Sequence, residues 1–349
     1  MNDRGEWQRR EQLNLARRSR VNRMPAFHKV LLLYNPVAGR GHSEREREML
    51  SAAQVFRDAG VEVELEPTRA KGEGGRQAKA ALDRGFDAIF ACGGDGTVFD
   101  VLQGMVHGPE QVALGVLPLG TANVLATDLG LPGNTEAAAR ATLAYVPRRI
   151  AAGQLRWNRM PDQEEERTTY FSVAAGLGVH AELIYHATGL LKRRSGFVAY
   201  YLAGFSLLVS HNFTPFSAEI TLPDGSRRRE ELLELVGMRV SSFGRWLSRW
   251  RPGGALGEDY LQLITLKPSS RLAMFRYVIS AIFRGAGPES KSRSARVEFV
   301  RALCVRFRAI DTRPTARLRT QADGEVLSGL PVEMSIVPRA LTLLMPPSS

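Results

Sequence analysis

From residue 28 onward the chain repeats one pattern: a continuous apolar run of β-type residues, a glycine-bearing turn, then apolar positions at helical spacing. "HKVLLLYNPVAGRG" is such a run, unbroken until Asn35-Pro36 and the glycines that follow. An apolar run without alternation predicts a strand buried on both faces, here opening into a turn. "SEREREMLSAAQVFRDAG" (43–60) offers Ser43 as a cap with Glu46 three residues later, apolar positions at helix period, and Gly60 as a stop. "VEVELEPT" alternates as a strand, "GGRQAKAALDRG" reads as helix, and "FDAIFAC" as another short apolar strand. A helix follows from near Thr97 through "VFDVLQGMV", then strand and turn in "VALGVLPLGTAN". Strands alternating with helices predict a parallel sheet with crossovers, and ligands bind at the carboxyl ends of such strands. "NPVAGRG", "GGDGT" and "PLGTAN" all stand at carboxyl ends, so they converge on one crevice. Residues 1–26 show no sustained apolar period and read as a mobile or loosely helical tail.

The turn "ACGGDGT" (91–97) carries the most chemistry. Gly93, Gly94 and Gly96 can adopt positive φ and bring main-chain N–H groups outward with no Cβ in the way, which lets a backbone approach an anion. The following helix adds its amino-terminal partial charge, so phosphate is the natural guest. Asp95 would repel that guest unless it holds a magnesium ion or takes a proton from an attacking hydroxyl. The other reading makes Asp95 a helix cap. The pattern is neither a Walker loop nor the dinucleotide GxGxxG.

Composition adds limits. With 349 residues there is room for two sizeable domains, and 44% hydrophobic with 24% charged residues is ordinary for a globular chain. Cys92 and Cys304 form neither a disulfide framework nor a zinc pair, which favours a reducing compartment. The first apolar run comes too late for a secretory leader. The longest apolar run, "FVAYYLAGFSLLVS" (197–210), is shorter than the roughly 18 residues a spanning helix needs. Net charge is +11 and all of it sits in two places. Residues 1–25 hold seven arginines against three acids, and residues 284–319 hold ten basic residues against three acidic. Such patches suit an anionic surface, and a plain solvated face explains them equally well.

In order along the chain, "YNPVAGRG" (34–41), "PTRAKGEG" (67–74), "GGDGTVFDVLQG" (93–104) and "LPLGTANVLATDLGLP" (117–132) resemble the motifs of the diacylglycerol kinase catalytic-domain family, which also includes sphingosine and ceramide kinases. "FSVAAGLGVHAEL" (171–183), "KRRSGFVAYYLAG" (192–204), "LGEDYLQLI" (256–264) and "DGE" (323–325) continue the likeness to the carboxyl terminus. The resemblance implies an α/β nucleotide domain and a β-rich second domain with ATP in the cleft between them, drawn here as 27–150 and 151–349 after the tail 1–26, the last strand returning to the first domain. It implies phosphates against Gly93, Gly94, Asp95, Gly96 and Thr97, with Asn35, Pro36, Thr68, Gly120, Thr121 and Asn123 framing the nucleotide. Asp100 stands where the family usually has a glutamate. The catalytic base is implied at Glu325 with Asp323 beside it, or, as in sphingosine-type members, at Asp95. A structural Mg2+ is implied on Asp259 and the carbonyls of Leu256 and Leu261.

The sequence departs from the family in four places. Tyr260 stands where glycine is common, "SSFGRWLSRWRPGG" (241–254) replaces an Asn-Gly and a glycine-rich turn, and "RRIAAG" (148–153) lacks an aspartate; the shorter Asp100 is the fourth. Phe243, Trp246 and Trp250 among arginines suit a membrane interface or an ordinary loop with cation–π contacts. The apolar "LAMFRYVISAIF" (272–283) suits an interface or a core alike. The implied activity is ATP- and Mg2+-dependent phosphorylation of the hydroxyl of diacylglycerol or a similar membrane lipid, by a cytoplasmic enzyme peripherally bound to an anionic membrane. A sphingoid-base or ceramide kinase, a soluble-substrate kinase of NAD kinase type, and a non-catalytic nucleotide or nucleic-acid binder are the alternatives. No nucleic-acid motif is evident, and the oligomeric state, a homodimer included, is left open.

Overall fold

The structure, a computed structural model, describes residues 25–36, 42–158, 166–178, 215–241, 253–267, 297–310, 320–327 and 330–347. The tail, the apolar runs at 197–210 and 272–283 and the aromatic-basic residues 243–251 lie outside the described residues.

The first part alternates as the apolar runs require: β1 (Lys29–Tyr34), α1 (His42–Asp58), β2 (Glu62–Pro67), α2 (Gly74–Ala81), β3 (Ala88–Gly93), α3 (Asp95–Met105) and β4 (Ala113–Pro118). β3 and β4 are buried at every residue, whereas β2 alternates and lies at the sheet edge. The strands pair in parallel in the order β2-β1-β3-β4. From β1 the chain first steps to one side, to β2, and then crosses back to place β3 on the other. That reversal opens a crevice beyond the carboxyl ends of β1 and β3, the usual ligand position in such sheets. Beneath it Phe27, Phe56 and Phe90 pack with ring centroids 5.1–5.9 Å apart.

Two short helices, α4 (Val124–Asp128) and α5 (Thr135–Thr142), are additions to the pattern read from the sequence. The Asn134 side chain caps α5 by accepting from the Ala137 amide at 2.9 Å. Helix α3 starts at Asp95, two residues earlier than predicted. Gly94 is extended and serves as its cap, its carbonyl accepting from both Thr97 and Val98.

The second part is β-rich, as expected: β5 (Val146–Asn158), β6 (Glu166–Phe171), β7 (Ala174–Gly178), β8 (Phe216–Thr221), β9 (Arg227–Leu232), β10 (Glu234–Met238), β11 (Leu261–Leu266), β12 (Val297–Ala302), β13 (Cys304–Ala309), β14 (Thr320–Ala322), β15 (Glu325–Leu327) and β16 (Leu330–Met345). One sheet runs β12-β11-β10-β7-β14-β15. The other continues the parallel sheet, because β16 pairs with β4 through Leu343 and Leu114, and antiparallel with β5 and β13. The boundary drawn at residue 150 therefore falls inside β5, and β16 serves both parts.

Helices α2 and α3 cross with their backbones in contact at Gly75 and Gly104. A Cβ on Gly104 would overlap the Gly75 carbonyl, and one on Gly75 would lie 2.5 Å from the Asp100 carbonyl oxygen. Gly104→Ala is expected to lower stability by about 1–3 kcal/mol. Gly133→Ala, where a Cβ meets nothing within 4 Å, should change it by less than about 0.5 kcal/mol. Urea midpoints of the two variants measure the difference.

Candidate active site

Main-chain hydrogen bonds stitch the three turns into one rim. The Asn35 amide donates to the Cys92 carbonyl at 3.0 Å, Thr68 to Tyr34 at 2.8 Å, and Leu119 to Gly93 at 2.9 Å. Asn35, Pro36, Thr68, Gly93, Gly94 and Gly120 are thereby brought together, with Thr97 buried beneath and Thr121 exposed above. None of Gly93, Gly94, Gly96 and Gly120 has positive φ, contrary to the conformational reason given for them above. Their reason is close approach: a Cβ on Gly120 would lie 2.6 Å from the Gly94 Cα, and one on Gly93 would overlap the Thr97 side chain. The left-handed residue is Asn123, at φ 47°, whose side chain closes the third turn by accepting from the Gly120 amide and donating to its carbonyl.

Asp95 links the second turn to the third. Its Oδ1 accepts from the Val124 amide at 2.7 Å, so it supports the amino end of α4 instead of capping its own helix. Burial raises its pKa above the usual carboxylate range, opposed by the amides of Val124, Asn123 and Asp95 itself.

The opposite wall comes from the second part. Asp323 and Gly324, at φ 47° and 85°, form the two-residue turn between β14 and β15, the left-handed pair that a tight hairpin needs. Asp323 turns inward and is almost wholly buried. Its Oδ2 accepts from the Ser172 amide and hydroxyl, and its Oδ1 from the amides of Val173 and Ala174, at 2.8–3.1 Å. Burial pushes its carboxyl up to about 6, while these four donors work against that shift.

Two residues on, Glu325 faces the other way. Its Oε2 pairs with Lys71 Nζ at 2.8 Å, and its Oε1 lies 3.1 Å from where a Cβ on Gly96 would stand. The base predicted from "DGE" is thus carried over the glycine turn. The Glu325 carboxylate holds the Lys71 ammonium above the usual lysine range. Asp100 completes the group by accepting from the Gly72 amide at 2.8 Å. Burial raises its carboxyl, against that amide, and the charge of Glu325 raises it further.

Asp259, Leu256 and Leu261 belong to the loop 253–260 and the start of β11. Asp259 is exposed, Leu261 opens β11 in register with Ala302, and the Leu256 carbonyl accepts from the guanidinium of buried Arg239 at 2.8 Å. Among the described residues no group of three or more His, Cys, Asp or Glu is arranged to hold a metal.

A rim of main-chain amides beside a helix amino end attracts phosphate, and a carboxylate brought over it from the facing domain can take a proton from a hydroxyl. The protein is a phosphotransferase that acts on a hydroxyl group. A family model described as "Diacylglycerol kinase catalytic domain" matches residues 29–155, and one described as "YegS C-terminal NAD kinase beta sandwich-like domain" matches residues 172–345. Together they span most of the chain, which belongs to the diacylglycerol kinase catalytic-domain family. Among its relatives, "Diacylglycerol kinase" of Bacillus subtilis is 29% identical over 316 residues, 90% of this chain and 95% of that one. "Probable lipid kinase YegS-like" of Chromohalobacter salexigens is also 29% identical, over 88% of this chain and 92% of its own. The crystal structure of a putative diacylglycerol kinase from Bacillus anthracis superposes with TM-score 0.71 at 20% identity, covering 93% of this chain and 98% of that one. That likeness bears on the fold.

Sequence reasoning passed over Lys71, Ser172 and Arg239. Lys71 lies inside "PTRAKGEG", where only Thr68 was singled out, and its partner is 254 residues away. Ser172 lies inside "FSVAAGLGVHAEL", a segment quoted for its likeness without a role for the serine, and for Arg239 no local signal existed.

Asp323→Asn would set an amide donor against main-chain donors and is expected to cost about 2–3 kcal/mol, whereas Ser172→Ala, which removes one of the four bonds, should cost about 1 kcal/mol. Denaturant midpoints of the two variants compare them.

Proposed function

We propose that this protein transfers the γ-phosphoryl group of ATP to the hydroxyl of diacylglycerol or a similar membrane lipid. The observation that carries the reading is Glu325 held over Gly96 and tied to Lys71, across from the glycine turn. The names of the relatives support a lipid acceptor. In the reaction the lipid hydroxyl oxygen attacks the γ-phosphorus, the bond from that phosphorus to the bridging oxygen breaks, and ADP leaves. Glu325 is the group suited to take the hydroxyl proton. Asp323 has both oxygens committed to four donors, and Asp95 is committed to the amino end of α4. Main-chain amides of Gly94 and Gly96 at the amino end of α3 would hold the phosphates, with Thr68, Thr121 and Asn123 at the margin. Lys71 would add a positive charge where negative charge accumulates. Asp100 is the carboxylate that would help hold a nucleotide-bound Mg2+, which commonly keeps one or two protein carboxylates together with phosphates and water, and leaves Glu325 free to act as the base. When bound, that ion neutralises phosphate charge.

A lipid acceptor requires the protein to work at a membrane surface. No helix among the described residues is long and apolar enough to cross one, so peripheral attachment through basic surface is the arrangement we propose. Part of the basic 284–319 segment is already paired within the fold: Arg306 bonds Glu333 at 3.0 Å, and the Arg301 guanidinium lies over the Tyr260 ring.

The test is transfer of label from γ-labelled ATP to a lipid extract supplemented with diacylglycerol, ceramide and sphingosine. Glu325→Gln is expected to lower turnover by about 10²–10⁴-fold with nucleotide binding retained. Lys71→Met should lower kcat more than it raises the KM for lipid. Label in one organic-soluble product, lost in the Glu325 variant, supports the reading; phosphorylation of NAD with no labelled lipid overturns it.

A further inference from the structure

Arg239, at the end of β10, is the largest fully buried side chain in the described structure and has no exposed surface. Its guanidinium gathers main-chain carbonyls. Nη1 donates to Glu258 and Tyr260, both at 2.7 Å, and Nη2 to Leu256 at 2.8 Å and Ala151 at 3.1 Å. Three of the four acceptors belong to the single loop 253–260, and the fourth lies on β5. Converging carbonyl oxygens with a carboxylate nearby are what a hard divalent cation would need. Here the same oxygens already surround a planar cation whose donors point at them in a fixed fork.

The backbone confirms that this side chain is built in. The Arg239 amide donates to the Val173 carbonyl at 2.8 Å, and the loop closes so tightly on β10 that a Cβ on Gly254 would lie 2.5 Å from the Val240 carbonyl oxygen. Burial lowers the guanidinium to about 10, opposed by the charges of Asp259 and Glu258, so it stays ionised at neutral pH. Its buried Nε makes no hydrogen bond, which leaves the Nη donors to hold the site. The residues implied for a structural Mg2+ do not fit one: the Leu256 carbonyl is engaged by Arg239, Asp259 is exposed, and a dication among these carbonyls would meet a buried positive charge.

We infer that the Arg239 guanidinium is the resident cation of the 253–260 loop, standing in for a structural divalent ion, and that this loop binds no metal. The second domain then keeps its fold in a chelator, independently of whichever lipid or nucleotide the cleft takes.

The test uses the full chain without nucleotide, melted in excess EDTA and in excess Mg2+, beside Asp259→Asn, Arg239→Met and Arg239→Lys. The Mg2+-induced shift in Tm should be the same for the wild type and Asp259→Asn, and Arg239→Met should melt lower than the wild type, with Arg239→Lys between them. A Mg2+-induced rise present in the wild type and lost in Asp259→Asn overturns the inference, as does an Arg239→Met variant that melts with the wild type. If Arg239→Met yields no soluble protein, Arg239→Lys against the wild type makes the same comparison, and a lysine variant equal to the wild type counts against a guanidinium site.

Discussion

Asp323 gives both carboxylate oxygens to the consecutive stretch Ser172 to Ala174, and its own amide donates to the Ala174 carbonyl at 2.7 Å. Burying a carboxylate is costly unless its hydrogen-bonding capacity is filled. Four donors fill it here, and they fix the turn at the end of β14 in the one conformation that accommodates them. Gly324 completes that turn at positive φ, and Glu325 emerges over the glycine turn. Removing the anchor would therefore disturb the position of a residue that the anchor never touches.

The opposite wall is equally constrained. Gly94 and Gly120 touch because neither has a side chain, and Asp95 and Asn123 hold the second and third turns in register. Gln103 carries the alignment across the cleft. Its amide donates to the Tyr170 carbonyl and accepts from the Tyr170 amide, both at 2.9 Å, so α3 and β6 are bound edge to edge. On the far side Asp128 accepts from the amide and hydroxyl of Ser241. The two halves thus meet through directional bonds from Gln103 and from Asp128, and the apolar core supplies most of the cohesion.

The layered α/β part was legible because its signals are local. Unbroken runs such as "VLLLY" and "AIFAC" must be buried on both faces, and three glycine turns at carboxyl ends can only gather on one edge. The roles inside the site were less legible. Asp323 and Glu325 look interchangeable in "DGE", and only the hairpin's left-handed turn decides which faces the interior. The glycines suggested unusual φ values, but the reason for them is contact between segments distant in sequence. Lys71 lay inside a quoted motif but nothing in that motif marked its role, and Arg239 carried no local mark, since a lysine in a loop and an arginine ending a strand gain meaning only from partners elsewhere. Helices α4 and α5 were missed because each is too short for its period to stand out from the turn before it.

The last strand has a consequence for how the molecule is made. β4, apolar and buried at every residue, is covered on its far side by β16, which begins at Leu330. During synthesis that edge of the first sheet remains unpaired while about two hundred further residues are added, roughly ten to forty seconds at ordinary elongation rates. An open apolar edge is a template for pairing with another chain. A message cut short before β16 therefore yields a product with an open apolar sheet edge, exposed to aggregation even when its α/β half is complete.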